Sequence, residues 1–148
     1  MIVIQGIDQK AGEMYYIASP ENPAERYLYK TKISGKGEQT LLSPKDMPGT
    51  HLYDVSKDLK WAIHSYQTYE RPPVYSLISL PSHDTVKVLE DNTELTDRLA
   101  QIEKQPVEFF RISIGEGIVL DGYCIKPPDF NPDKKYPLLF YIYGEPAG

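Results

Sequence analysis

The chain has 148 residues, enough to bury a core of useful size, and it contains 13 Pro, 10 Gly and 12 Tyr. This composition, together with recurrent short apolar runs, favours a mainly β body with many turns over a helical bundle. The formal net charge of -5 comes with basic residues scattered among acidic ones, so there is no basic stripe and nucleic-acid binding is not expected.

Residues 1–90 carry a weak internal repeat. Shifting the sequence by about 46 positions places residues 15–19 over residues 61–65, and a period of about 40 to 50 residues with about four short strands per unit is typical of propeller blades. A small antiparallel sandwich built from the same strands is the alternative. The predicted strands are 13–19, 26–33 and 38–43 in the first unit, and 60–66, 73–80 and 85–89 in the second.

One helix is predicted between two unlike patterns. Asp91 and Glu94 have the spacing of a capping box, and Leu95, Leu99 and Ile102 then recur at helical spacing until a Pro follows Gln105. Its charged face is expected to be solvated. Residues 91–106 are therefore interpreted as a connection between two domains.

Two strands and a buried run follow. Residues 107–114 and 118–125, separated by a loop with two Gly residues, predict a hairpin. The single cysteine, Cys124, lies in the second of these strands and is interpreted as a small buried side chain, with a catalytic thiol as the alternative. Residues 138–143 form an unbroken apolar and aromatic run, which predicts a strand buried on both faces of a mostly parallel sheet. Such a strand needs neighbours, so the chain is expected to be a fragment.

These features resemble the prolyl oligopeptidase family of serine peptidases, in particular its dipeptidyl peptidase IV-like branch. The resemblance is carried by the repeat, the connecting helix, the hairpin and three strings: KKYPLLFYIYGEP at 134–146, VLEDNTEL at 88–95 and PPDFNPDKKYP at 127–137. It implies a mainly β fragment. Residues 1–90 would form the last two blades of a β-propeller, 91–106 the connecting helix, and 107–148 the first three strands of an α/β-hydrolase sheet.

The resemblance also implies the chemistry. Tyr143 stands where this family has a Tyr whose hydroxyl donates to the oxyanion of the tetrahedral intermediate. The residues alone instead favour the interpretation of Tyr143 as one more buried aromatic side chain, like Tyr141 or Tyr136. Glu145 departs from the family, which has a small residue there, and its carboxylate is expected to point away from the cleft or to meet a cationic partner.

Several expected parts of such an enzyme are not found in this sequence. It contains no Gly-x-Ser-x-Gly elbow, and His51, His64 and His83 all lie in the predicted blades, where they are interpreted as structural or exposed. The Ser, His and Asp of the triad are therefore expected outside this chain. No cofactor or metal signature and no membrane span is found in the sequence.

The implied function is that of a parent serine-type exopeptidase, which releases N-terminal dipeptides with Pro or Ala in the second position. Its partner would be a peptide substrate, and the parent would be exported to the periplasm or cell surface and form a homodimer. The chain alone is expected to be inactive. The alternative is a non-catalytic β-rich module that binds peptides or proteins.

Overall fold

The structure is a computed structural model that describes residues 2–142. Within this range the chain forms ten β-strands and one α-helix. The first four strands are β1 (Val3–Asp8), β2 (Glu13–Ala18), β3 (Tyr27–Lys32) and β4 (Thr40–Leu41). The next four are β5 (Thr50–Val55), β6 (Trp61–Gln67), β7 (Val74–Ser79) and β8 (Thr85–Glu90). Helix α1 (Thr93–Ala100) then precedes β9 (Glu108–Gly115) and β10 (Ile118–Cys124).

The eight strands before α1 form two antiparallel sheets with the same topology. The first sheet has the order β1-β2-β3-β4 and the second sheet the order β5-β6-β7-β8, so consecutive strands are always neighbours. Four short strands in this up-and-down order are what a propeller blade contains. The repeat predicted from the sequence thus corresponds to two sheets of equal topology.

Each sheet begins with a strand beyond the three that the sequence predicts for it. In β1 the pairing with β2 shifts register between Ile4 and Gly6, so the alternation of inward and outward side chains is interrupted. In β5 the inward side chains are His51 and Tyr53, while Leu52 faces out. A polar residue on the buried face hides the usual apolar alternation. The predicted strand 38–43 shortens to Thr40–Leu41.

One hydrophobic cluster joins the two sheets. Leu28 in β3 and Ile78 in β7 have no exposed surface. A Cβ atom added to Gly6 would clash with the Leu59 side chain, so β1 and the turn between β5 and β6 approach closely there. The buried members of the cluster are Tyr15, Ile17 and Leu28 from the first sheet, Tyr53, Ala62 and Ile78 from the second sheet, and Leu80 from the turn between β7 and β8. The core therefore lies between the sheets.

Backbone hydrogen bonds close the same junction. The Arg26 N–H donates to the Gly49 carbonyl at 3.0 Å, and the His51 N–H donates to the Arg26 carbonyl at 3.0 Å. These bonds join the start of β3 to the start of β5, where Arg26 and Thr50 form a parallel bridge. The two sheets are consequently held together by both side chains and backbone.

The helix forms where the sequence predicts it but is shorter. It ends at Ala100, and Ile102 lies beyond it. The capping box is not formed as predicted: Asn92 is the N-cap in a left-handed conformation, and the Asp91 carboxylate accepts from the Thr93 N–H at 2.9 Å. Glu94 pairs instead with Arg98, one turn later. No residue of α1 is buried.

Among residues 2–142, no helix has the length and apolar character needed to cross a membrane.

The hairpin prediction is confirmed. Strands β9 and β10 pair antiparallel from Gly115 and Ile118 to Glu108 and Cys124. The loop between them is short because Gly115, Glu116 and Gly117 all adopt positive φ. Two ion pairs cross the hairpin, Arg111 with Asp121 and Lys126 with Glu108, each at 2.7 Å. Cys124 is a half-buried free thiol at the end of β10.

The buried strand predicted over residues 138–143 is not formed over its described part. Residues 138–142 have no regular structure, and their side chains are between 72% and 91% exposed. Within the described residues β9 and β10 pair only with each other, so residues 138–142 have no parallel neighbour with which to form a ladder. Tyr143 and the residues after it lie outside the described part. An α/β-hydrolase sheet is therefore absent from residues 2–142.

Gly49 offers a test of the close packing between the start of β5 and the end of β6. Its φ is +147°, and an added Cβ would lie 2.8 Å from the Gln67 carbonyl oxygen. We expect Gly49→Ala to lower the free energy of unfolding by about 1–3 kcal/mol, from backbone strain and this clash together. Urea unfolding followed by circular dichroism measures it.

The matched control is Gly37→Ala. Gly37 has nearly the same φ, +146°, but an added Cβ would meet only the flexible Lys32 side chain, at 3.4 Å. It isolates the conformational cost, so Gly49→Ala should be the more destabilising of the two. Equal losses would show that the close approach at Gly49 does not contribute.

Candidate functional site

The residue predicted to carry chemistry, Tyr143, and its neighbour Glu145 lie outside the described residues. The oxyanion role of Tyr143 therefore stays a prediction. The segment before it is folded against itself: the Asn131 N–H donates to the Tyr136 hydroxyl at 3.0 Å, and the Tyr136 ring stacks on Phe130 at 5.3 Å. Lys126 lies over the same Phe130 ring at 4.8 Å.

The turn between β6 and β7 anchors the segment that follows α1. The Glu70 carboxylate accepts from Lys104 Nζ at 2.8 Å and from the Val107 N–H at 3.2 Å. The hydrogen bond from Lys104, followed by that from Val107, lowers the pKa of Glu70 below its usual value. Because both side chains of the ion pair are more than 40% exposed, solvent screens it. Its effect is mainly to fix where the chain enters β9.

Aromatic side chains continue this contact. Tyr69, in the same turn, meets Phe109 of β9 edge-to-face, with the ring centroids 5.3 Å apart. It also packs against Tyr123 of β10 at 5.1 Å. Rings at these distances gain the edge-to-face attraction of aromatic pairs. The hairpin is thereby seated on the second sheet.

A cavity of about 760 Å³ lies beside this contact, between the two sheets and β9. Its wall combines charged side chains, Glu25, Arg26 and Glu70, with the aromatic rings of Tyr69 and Phe109. Charged groups can pair with peptide termini and rings can cover apolar side chains. The cavity is thus chemically suited to a peptide segment.

Three histidines of the second sheet and its β7–β8 turn form a mostly buried polar group. His51 of β5 and His64 of β6 are 0% and 5% exposed, and His83 approaches from the turn between β7 and β8. The His51 and His64 rings stack at 5.1 Å, and the His83 ring meets His64 edge-on at 4.8 Å. We call these three residues the histidine cluster.

Hydrogen bonds determine the tautomer of the first pair. His51 Nε2 lies 2.8 Å from the Met47 carbonyl oxygen, which only accepts, so this nitrogen carries the proton. His51 Nδ1 is then the acceptor for His64 Nε2 at 2.9 Å, and His64 carries its proton on Nε2. One proton sits between the two rings.

A chain of hydrogen bonds reaches the third histidine. The Leu28 N–H donates to Ser43 Oγ at 2.7 Å, Ser43 Oγ lies 2.8 Å from the Tyr53 hydroxyl, and that hydroxyl lies 2.8 Å from His83 Nε2. Each hydroxyl has one proton to donate, so the bonds run either from Ser43 through Tyr53 to a neutral His83 or from His83 through Tyr53 to Ser43. The backbone of the first sheet is thus linked to the histidine cluster.

Burial keeps this group neutral. Desolvation, and then the neighbouring imidazoles of His83 and His51, lower the pKa of His64 from 6.5 to about 3. Desolvation also lowers the pKa of His51 and of His83 and raises that of the Tyr53 phenol. The uncharged form of all four side chains is therefore the one compatible with the fold.

Within residues 2–142, no three His, Cys, Asp or Glu side chains are arranged to hold a metal ion. The histidine cluster is not such an arrangement, because the nitrogen atoms facing each other share a proton.

The chain is similar in sequence and in fold to dipeptidyl peptidases. Residues 1–73 match the model of the dipeptidyl peptidase IV (DPP IV) N-terminal region. The comparisons support a dipeptidyl peptidase IV-like family. The chain is 35% identical over 143 residues to a probable dipeptidyl-aminopeptidase B from Emericella nidulans and 33% identical over 148 residues to one from Uncinocarpus reesii. Each alignment covers 95% of this chain but only 16% and 15% of the relative.

A solved structure supports the same fold. The crystal structure of Porphyromonas gingivalis dipeptidyl peptidase 4 superposes with a TM-score of 0.78 and 30% identity. The match covers 90% of this chain and 18% of that protein. The chain therefore spans less than a fifth of the dipeptidyl peptidases it matches.

From the sequence, the three histidines are interpreted as structural or exposed, and the structure buries two of them, His51 and His64. Their connection to Ser43 and Tyr53 is not predicted by the sequence. A signal for this was present in β5, where His51 and Tyr53 are two residues apart and so share a face. The same spacing separates His64 from Tyr66 in β6. Ser43 carries no such signal: it ends the predicted strand 38–43, and in the structure it lies outside any strand.

Proposed function

We propose that this chain is part of a longer serine-type exopeptidase that releases dipeptides from peptide N-termini, with Pro or Ala in the second position. Residues 1–90 would supply the last two propeller blades, 91–106 the connection and 107–148 the start of the α/β-hydrolase domain. The observation that carries the proposal is the similarity in sequence and fold to dipeptidyl peptidases over nine tenths of the chain.

The proposed chemistry is acyl transfer. A serine from another part of the protein attacks the scissile carbonyl after giving its proton to a histidine, and negative charge develops on the carbonyl oxygen. Tyr143 and a backbone N–H donate hydrogen bonds to that oxygen. Such donors act mainly in the transition state, because the charge they meet appears only there. Glu145 would point away from this oxygen, since a carboxylate beside it would oppose the developing charge.

The described part would position the hydrolase domain and limit access to it. The contacts of Glu70 and Tyr69 with the segment at Val107 and Phe109 fix how the hairpin sits on the second sheet. The propeller would then act as a size filter above the cleft, and the substrate would be a peptide with a free amino terminus. We further propose an exported, homodimeric parent.

A serine-directed fluorophosphonate probe tests whether the nucleophilic serine lies outside the 148-residue chain. We expect the 148-residue chain to remain unlabelled and to have no peptidase activity, because no nucleophilic elbow occurs in it. The longer protein should take up about one probe per chain, as expected of a single activated serine. Stoichiometric labelling of the 148-residue chain would overturn the proposed assignment of the triad.

The reaction type is tested with the longer protein and two matched substrates. A Gly-Pro aminomethylcoumarin amide should be cleaved, whereas its N-acetyl form should not, because acetylation removes the free amino group that an exopeptidase of this kind must recognise. Equal cleavage of both would instead indicate an endopeptidase or acylaminoacyl peptidase. Failure to label and to cleave either one would favour the non-catalytic binding module.

A further inference from the structure

The histidine cluster lies at the junction that holds the two sheets together. His51 is part of this junction through its backbone, which donates to Arg26, and through its side chain, which donates to Met47. Met47 belongs to the connection between β4 and β5. The Tyr27 ring of the first sheet lies 5.3 Å from the His51 ring. A change at His51 therefore reaches both sheets.

The facing nitrogen atoms of His51 and His64 can hold only one proton between them. His51 and His64 face each other at 2.9 Å with a single shared proton, and a second proton between them would bring two donors together. A proton on the far nitrogen of His64 would instead place a positive charge on a ring that is 5% exposed. Either event opposes the folded arrangement.

The surroundings offer little compensation for such a charge. Around the cluster, the groups that face it are phenols, hydroxyls and other imidazoles, with two carboxylates nearby. Glu25 acts on His51 only weakly and is engaged by the Tyr27 hydroxyl, while Asp84 acts on His83. Arg71 lies over the Tyr66 ring at 5.8 Å, and that ring in turn lies 4.9 Å from the His51 ring. The facing titratable or charged residues are Glu25, Tyr27, Tyr53, Tyr66, Arg71 and Asp84, together with buried Ser43 and Ser76.

We propose that the histidine cluster is an acid-sensitive device that holds the two sheets together when its rings are neutral and loosens their junction when they take up protons. The link runs from His51 through Met47 and Arg26 to the connection before β5 and to the start of β3. This role is independent of the peptidase activity proposed above.

The sign of the effect follows from proton linkage. Imidazoles whose pKa is lowered on folding bind fewer protons in the folded chain than in the unfolded chain. Stability is therefore complete above the unfolded value of 6.5 and is lost as the pH falls towards about 3, the pKa of His64. Between these pH values, an imidazole that is protonated in the unfolded chain and neutral in the folded chain lowers the folding equilibrium constant about tenfold for each unit by which the pH falls.

The direct experiment is NMR of the 148-residue chain labelled with ¹⁵N on its histidines. At neutral pH the long-range ¹⁵N–¹H spectra should show the proton on Nε2 of His51 and of His64, and His83 in its neutral form. On acidification His64 should stay neutral well below 6.5. Three histidines that titrate near 6.5 without any change in the fold would overturn the proposal.

Amide exchange locates the response in the same samples. Protection of the amides of Arg26, Leu28 and His51 should fall on acidification before that of Tyr16 in β2, whose ring stacks on Tyr29 and not on the histidine cluster. Loss of protection everywhere at once would contradict a device located at the junction.

Two variants complete the test. His64→Gln keeps an N–H that can donate to His51 but cannot take up a proton. The slope of the free energy of unfolding against pH gives the number of protons taken up on unfolding, and this number should fall by about one. Glu38→Gln removes an exposed titratable group outside the cluster and should leave this slope unchanged. An unchanged slope in His64→Gln would overturn the proposal, and the NMR result on the unsubstituted chain decides the matter where the variant fails to fold.

Discussion

Replacing Leu28 by Ala is expected to lower the free energy of unfolding by about 2–5 kcal/mol, as for other fully buried leucines. Leu28 has no exposed surface, and the cluster it belongs to includes Tyr15 of the first sheet and Ile78 of the second. The substitution removes apolar contacts and leaves a cavity that the two sheets must collapse to fill. Urea unfolding followed by circular dichroism, with linear extrapolation, gives the change.

The control is Leu52→Ala in β5. Leu52 is 41% exposed, so the same change of side chain should cost about 1 kcal/mol or less. Amide exchange adds a second readout, because Leu28→Ala should reduce protection in β6 and β7 as well as in β2. Loss confined to the first sheet would show that the sheets fold independently, contrary to the shared core described above.

The β9–β10 hairpin and helix α1 could be predicted from the sequence because each depends on residues close together in the chain. The Gly-Glu-Gly loop requires positive φ at three successive positions, and the structure places them at Gly115 to Gly117 in a hairpin. The helix is found because Leu95 and Leu99 recur at its period, although its true N-cap is Asn92 and not Asp91. Caps are decided by single hydrogen bonds, which the sequence pattern does not resolve.

The face that each strand buries was harder to predict. In β6 the apolar Trp61 and Ile63 are 43% and 44% exposed, while Ala62, His64 and Tyr66 are buried. Hydrophobicity alone would choose the opposite face. The observed choice is stable because the buried polar side chain has a partner, His51, and a satisfied polar group can be buried at modest cost.

Residues 138–142 show a different limit. Their apolar run has the composition of a buried strand, and yet they form none in the described part. A strand is a property of a sheet as well as of a segment, since its backbone groups must pair with neighbours. Sequence composition predicts the tendency, and the neighbouring strands decide whether it is realised.

Replacing Tyr143 by Phe in the proposed parent enzyme is expected to lower kcat by about 10²–10³-fold, equivalent to roughly 3–4 kcal/mol of barrier. The change removes one hydroxyl and keeps the ring, so packing is preserved. KM should change little, because the hydroxyl meets a full negative charge only in the transition state. Steady-state cleavage of the Gly-Pro aminomethylcoumarin amide measures both constants.

Tyr141→Phe is the matched control, since it makes the same chemical change two residues earlier in the same run. It separates the oxyanion role from the alternative in which Tyr143 is only another packed aromatic: in that case both variants should cleave almost as fast as the unsubstituted enzyme.

Labelling by the fluorophosphonate provides an independent readout. Attack of the serine on phosphorus also builds negative charge on an oxygen in the same position, so Tyr143→Phe should slow labelling, whereas Tyr141→Phe should not. Slowed peptide cleavage with unaltered labelling would place Tyr143 in substrate binding and contradict its role as an oxyanion donor.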